Sequence, residues 1–534
     1  MKTLNSRAGL RWLNGWLLGA VLVLSSVLGF AANPFENASP AVPVSEIDRL
    51  VARRLQKLNL EPAAPCSDAV FVRRVYLDVI GTLPTAAEAR DFILDRKPDK
   101  RAVLIDRLMT RDEFTDYWAN KWCDLLRVKA EFPVNLWPNA AQAYHHWLHA
   151  SLQDNKPYDQ FVRELLVANG SNFREAPVNF YRAMPSKDPP GIARMVALNF
   201  MGVRAEKWPT NQLAQMAAFF AQVGYKSTSE WKEEIVFNDP AATNAALYLG
   251  PARKATFPDG QNVVIPADKD PREVFADWLI RPKNKWFTRN IANRTWSWLL
   301  GRGIIHEPDD IRPDNPPSNP ELLAYLEREL IDSNYDLKKL FRLILNSQTY
   351  QRSSLMTGES PDAAANFASY PLRRLDAEVL IDAINQLTTS SEKYSSAIPE
   401  PFTFIPDGSR AIALPDGSIT SPFLEQFGRP PRDTGLESER NNRFTASQRL
   451  HLLNSTQVQR KLEQSRMVEF QSQGKRPPRE IATNLYLGIL SRYPTEEELV
   501  AAESYAKSGK VKPREAIIDV AWALMNSAEF LHRH

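Results

Sequence analysis

Tyr76-Leu-Asp-Val-Ile-Gly-Thr-Leu-Pro-Thr85 aligns without a gap with Tyr486-Leu-Gly-Ile-Leu-Ser-Arg-Tyr-Pro-Thr495. In each copy a Pro stops one helix and a Thr opens the next, with a Glu three residues on (Glu88 and Glu498), the pattern of a capping box. Both copies run into a helix ending in a similar phrase, Leu108-Met-Thr-Arg-Asp-Glu-Phe114 and Leu524-Met-Asn-Ser-Ala-Glu-Phe530. A third ending of this kind, Leu345-Asn-Ser-Gln-Thr-Tyr350, closes a helix that starts near Leu337. Every repeated residue has a helix-boundary role, so the repeat is structural and the fold is expected to be mainly α. The two units are expected to pack as a pseudo-symmetric pair.

Working outward, Ile47, Leu50, Val51, Leu55 and Leu58 have helical spacing behind Ser45, a suitable N-cap. The same periodicity returns at 71–80, 101–109, 144–152 and 158–167. From about Ser227 to Asp270 the composition changes. Lys254 to Ile265 places β-branched residues on both sides of a Pro-Asp-Gly turn, which predicts a hairpin. Helical periodicity resumes at Pro271, a residue suited to the first helical turn. A stretch rich in Ser, Pro and Gly from about 388 to 442 is too long for an ordinary connection and is expected to dock on the helices. The organisation expected is an N-terminal helical domain (45–226), a linker with the small β insertion (227–270), and a C-terminal helical domain (271–534) containing the irregular loop.

The 534 residues carry 66 Lys plus Arg against 63 Asp plus Glu, a net charge of +3, which argues against nucleic acid as the main partner. Two Cys exclude a disulfide framework, a four-cysteine zinc site and an all-cysteine cluster. Lys2, Arg7 and Arg11 precede an apolar run from Trp16 to Phe30, with Gly29, Ala31 and Ala32 behind it. This is the layout of a signal peptide (1–32) cut after Ala31 or Ala32, and it places the protein in the periplasm or cell envelope. The alternative is an uncleaved anchor, interrupted by Asn14. No later stretch is apolar enough to span a membrane. Export permits a Cys66–Cys123 bridge, and two buried free thiols are the equal alternative.

Four phrases, Arg73-Arg-Val-Tyr-Leu-Asp-Val-Ile-Gly-Thr-Leu-Pro-Thr85, Asn155-Lys-Pro-Tyr-Asp-Gln-Phe-Val-Arg163, Asn293-Arg-Thr-Trp-Ser-Trp-Leu-Leu-Gly-Arg-Gly-Ile304 and Phe427-Gly-Arg-Pro430, occur in that order. They resemble the paired domains of unknown function in secreted planctomycete-type proteins, where a cytochrome c-like domain often precedes the pair. Such a domain is not expected here, since the leader runs almost directly into Ser45. The resemblance implies a Cys-x-x-Cys-His and a His-Pro after a phrase like Gly202-Val-Arg204, and a Cys-x-Cys before Glu-Arg. This chain has Ala205-Glu-Lys-Trp208 at the first place and Leu436-Glu-Ser438 at the second. If relatives build one metal or haem site from both cysteine pairs, this chain keeps the scaffold, and no cofactor is expected.

His145 and His149 stand at i, i+4 on one predicted helix, a spacing that can hold a metal, although no Glu accompanies them and Trp147 and Leu148 suggest packing. No metal site is therefore expected. Asp309, Asp310 and Asp314 match no calcium-loop spacing, and Gly301 reads as a helix C-cap rather than part of a dinucleotide fingerprint. Arg429, Arg432, Glu439 and Arg440 cluster in the irregular stretch, and guanidinium forks suit carboxylate or sulfate. With Trp208, Trp296 and Trp298 they suggest an anionic-saccharide cleft.

The candidate cleft residues are Asp78, Arg294, Trp296, Arg373, Asp376, Arg429 and Arg440. With the common hydrolase and phosphate-loop signatures absent, the primary expectation is a scaffold or binding protein acting with a co-secreted partner, and polysaccharide is the candidate ligand. The alternative is an enzyme on a glycan or other anionic substrate, which requires the carboxylates and arginines to meet in one cleft.

Overall fold

The computed structural model describes residues 33–37, 44–356, 360–474 and 476–534; the leader and its cleavage site lie outside the described residues. The fold is mainly α, with a few short strands. No described helix is long and apolar enough to cross a membrane.

Helix starts follow the capping chemistry. Ser45 accepts from the Asp48 amide while the Asp48 carboxylate accepts from the Ser45 amide, opening Glu46–Lys57. Thr85 and Glu88 do the same for Ala86–Leu94, and Thr495 and Glu498 for Glu496–Lys507. Pro271 sits in the first turn of Pro271–Leu279 behind Asp270, whose side chain accepts from the Arg272 amide. The endings also match in structure. Ser347 accepts from the Tyr350 amide and Ser527 from the Phe530 amide, so the third ending and the C-terminal copy share one cap.

The hairpin forms, with Lys254–Thr256 antiparallel to Asn262–Val264. A second small sheet has the order Gly170–Ser171, Glu234–Asn238, Val223–Ser227, and two of its three strands precede the expected linker. These strands are short, and Gly224 and Lys226 weaken the local β signal. The 388–442 stretch is mostly irregular, with short helical turns at Ala411–Ala413, Pro422–Gln426 and Glu437–Glu439.

Apolar side chains from Ile47 to Leu531 form one buried cluster, so both helical halves share a core. The two repeat copies touch within it: the helices Ala86–Leu94 and Pro478–Leu490 pack together. Arg73 donates to the Ile489 carbonyl at 2.9 Å and to the Phe530 carbonyl at 2.8 Å. Near the end of the chain, His532–Arg533 pairs antiparallel with Arg373–Arg374.

Candidate functional site

That two-residue ladder sets Arg373 opposite Arg533, and like charges placed so need a counter-charge. Asp78 supplies it from the helix Asp68–Val79, with Oδ1 3.3 Å from Arg373 and 3.4 Å from Arg533. Its other oxygen accepts from the Tyr370 hydroxyl at 2.7 Å and the Tyr350 hydroxyl at 2.9 Å. Arg373 also donates to the carbonyls of Trp298 and Leu299 and so caps the helix Phe287–Leu300. Gly301 ends that helix at φ +70°, and a Cβ there would collide with the Arg373 side chain. Its C-cap role therefore includes making room for the arginine.

Asp376 begins the next layer. It accepts from Lys121 and Arg533, each at 2.9 Å, from the Tyr117 hydroxyl at 3.2 Å, and from Asn442 at 2.7 Å. Burial alone would raise its pKa; Lys121, Arg533 and Arg440 outweigh that and hold it well below the usual carboxylate range. Glu378 is gripped by both terminal nitrogens of Arg440 at 2.8 and 2.9 Å, and despite its burial this holds its pKa at about 2. Arg440 reaches on to Asp124 at 2.6 Å, while Arg432 takes the other Asp124 oxygen at 3.0 Å and Asn120 at 2.7 Å. The irregular stretch is thus fastened to the helices Asp112–Leu125 and Ala377–Thr388 by arginine forks.

Above this network opens a cleft of about 950 Å³. Arg373, Asp376, Arg440 and Arg533 form its floor, with Tyr117, Lys121 and Trp298 on one wall and Arg443, Phe444 and Arg449 at its mouth. His306, Glu307 and Glu437 also face it. Of the residues expected there, Arg373, Asp376 and Arg440 line the cleft, and Asp78 lies beneath them. Arg294 is buried and pairs with Asp309 at 2.7 Å, touching the cleft only through Glu437 at 3.5 Å. Arg429 is buried behind the floor, donating to the Ile419 carbonyl and lying 3.8 Å from Glu378. Trp296 is fully buried and meets Phe367 edge-on at 5.0 Å, so it lines no cleft. Trp208 lines a separate groove.

Sequence reasoning did not single out Arg533, Lys121 or Glu437. A two-residue strand carries no periodicity, and Lys121 sits on a helix whose aromatic neighbours dominate its pattern. Glu437 has raised pKa because burial outweighs the nearby Arg294; it accepts from the Trp298 indole N–H at 3.1 Å and is a quarter exposed. The departure at 436–438 was the available signal. The two departure loops flank one segment: Lys207 pairs with Asp310 at 3.2 Å, and the Glu437 amide donates to Asp309 at 2.7 Å.

His145 is buried, neither ring nitrogen has a protein partner, and burial lowers its pKa to about 3. His149 pairs with Asp116 at 3.1 Å. Asp310 and Asp314 both pair with Arg312, at 3.2 Å each. Among the described residues no group of three or more His, Cys, Asp or Glu is placed to hold a metal. Cys66 and Cys123 are buried and unbonded, and burial pushes the Cys123 thiol up to about 12.

The PSCyt2 family model, a protein of unknown function (DUF1549), matches residues 46–201. The PSD1 model, a protein of unknown function (DUF1553), matches residues 271–506. No curated protein and no solved structure matches the chain. The first match includes Asp78 and Lys121 and the second includes Arg373, Asp376 and Arg440, so the cleft is built from both domains of the PSCyt2–PSD1 pair that this chain carries.

Proposed function

We propose that this is an exported binding protein that holds an acidic polysaccharide in the cleft and leaves chemistry on that ligand to a co-secreted partner. The observation that carries this reading is the contrast between spent and unspent charge. Asp78, Asp376 and Glu378 are saturated by donors, so none is free to act as acid, base or nucleophile. Arg443 and Arg449 line the cleft and are exposed, Arg449 lying 5.8 Å from the centre of the Phe444 ring, with no acidic partner among the described residues. Guanidinium forks match sulfate and carboxylate, and the half-buried Phe444 ring in the same cleft adds apolar surface for a sugar. Titration of the purified protein with a chondroitin sulfate tetrasaccharide tests this. Arg443→Ala/Arg449→Ala should weaken binding at the cleft about tenfold, with added salt doing the same to the wild type, whereas a titration identical to that of the wild type overturns the reading.

Glu437 favours a second reading. It is a cleft carboxylate whose raised pKa suits a general acid, while Asp376 in the same cleft is held well below the usual carboxylate range. Cleavage of the same tetrasaccharide that stops in Glu437→Gln would replace binding with catalysis.

A further inference from the structure

The groove that takes Trp208 has a volume of about 670 Å³. It lies across the 301–317 loop from the cleft, since His306 and Glu307 line the cleft while Ile305 and Asp310 line the groove. Its walls carry two indoles, Trp208 and Trp286, and a run of rigid prolines, Pro313, Pro316 and Pro317. Beyond Trp208 an adjoining pocket of about 500 Å³ continues along Arg194 and Glu206.

The charges divide sharply. Lys207 and Arg312 are both engaged by Asp310, and Arg289 by Glu327 at 2.8 Å. Arg204 and Lys285 have no acidic partner among the described residues. The Nε of Arg204 is shielded from solvent and no protein atom accepts from it. Lys285 is exposed with its ammonium 4.3 Å from the centre of the Trp286 ring, a position that keeps the cation at the wall of the groove. Arg204 and Lys285, lining the groove with no acidic partner among the described residues, are the cations left for an anionic oxygen entering it. Indole faces stack on the apolar faces of sugar rings, and isolated cations between them suit sulfate or uronate groups.

We propose that the Trp208–Trp286 groove is a second acidic-saccharide site, built from residues separate from those of the cleft. Its position across one loop from the cleft lets a single extended glycan reach both.

Calorimetric titration of the full chain with a chondroitin sulfate tetrasaccharide tests this, with neutral cellotetraose as control. Wild type should bind two equivalents. Trp208→Ala/Lys285→Gln should retain one, as should Arg443→Ala/Arg449→Ala, and the two sets combined should retain none. Lys285→Gln alone, an exposed change that leaves the fold intact, should weaken one class of site about threefold. Two equivalents persisting in Trp208→Ala/Lys285→Gln, or a single wild-type equivalent lost only with the cleft arginines, would sink the groove site. Cellotetraose binding as tightly as the sulfated probe overturns the acidic class. If the cleft arginines have no effect while the groove variants remove an equivalent, the cleft reading fails and the groove stands.

Discussion

The two copies of the repeat differ in how much of the molecule each one needs. In the C-terminal copy the turn residue Arg492 binds Glu498 at 2.7 Å and Glu529 at 2.7 Å, so one arginine closes the capping box onto the terminal phrase. In the N-terminal copy the equivalent turn residue is Thr82, and two other arginines do this work. Arg111, from the terminal phrase, binds Glu88 at 3.1 Å and Glu113 at 2.5 Å. Arg410, from the docked loop, donates to Thr82 at 2.5 Å and lies 3.8 Å from Glu113. The same three positions are held in both copies, but the second closes on itself while the first is closed from outside. This asymmetry matches the use of each copy: Asp78 lies under the cleft, and its counterpart is Gly488, where a Cβ would meet nothing within 4 Å.

Exchanging those two positions should produce the largest effect. Asp78→Gly leaves Arg373 without a carboxylate partner and Arg533 with Asp376 alone, and removing one partner from a buried pair costs about 3–5 kcal/mol. Gly488→Ala should instead stabilise the helix by up to about 1 kcal/mol. Urea unfolding of both variants reads the contrast directly. Equal and small effects would show that the copies are interchangeable at this position.

The next test lies at the helix ends. Gly81 and Ser491 occupy the same αL turn, at φ +59° and +60°. At Gly81 a Cβ would fall 2.6 Å from the Tyr117 ring, whose hydroxyl serves Asp376. Gly81→Ser should cost about 3 kcal/mol, from the left-handed backbone and the crowded ring together. Ser491→Gly should be neutral or stabilising by up to about 1 kcal/mol, because it relieves the left-handed backbone and removes a buried hydroxyl that has no protein partner. Thermal melts with a cleft-binding assay separate the two sites. A tolerated Gly81→Ser that leaves binding intact would detach the N-terminal turn from the cleft.

Much of the fold was legible because caps are local. Ser45, Thr85, Thr495 and Gly301 declare helix ends through chemistry that spans three or four residues, and the hairpin follows from one Pro-Asp-Gly turn. The cleft was legible only in part. Arg373, Asp376 and Arg440 drew attention as charge clusters, yet the partners that place them come from distant segments: Asp78, Lys121 and Arg533 lie more than 250 residues away from at least one of the groups they bind. Trp296 could not be told from Trp298 by type, yet two residues along the helix Phe287–Leu300 turn a side chain to nearly the opposite face, so Trp298 lines the cleft and Trp296 is buried. Arg294 seemed available for a ligand, but Asp309, recognisable in sequence only as a weak calcium candidate, consumes its charge.

The smallest effect concerns the loop that closes the N-terminal copy. Asp382 is buried, accepts from the Ala411 and Ile412 amides at 2.8 and 3.1 Å, and lies 3.8 Å from Arg410. Burial raises its pKa to about 6, opposed by Arg410 and the two amides and reinforced by Glu378; Tyr394 also faces it. A carboxyl raised in this way is protonated in the native state at a pH where the unfolded chain has already lost the proton. Its stabilising contribution is therefore complete below about pH 4 and declines as pH rises through 6. Between pH 5 and 7 this amounts to a loss of about 1 kcal/mol for the wild type relative to Asp382→Asn, which keeps an acceptor for one amide and cannot titrate. Histidines with lowered pKa, such as His306 and His451, drift the opposite way in both proteins and cancel in the difference. Paired urea titrations at pH 5, 6 and 7 measure it. A difference that stays flat across that range would mean that Asp382 remains ionised throughout, and that the outside closure of the N-terminal copy is as insensitive to pH as the internal closure of its partner.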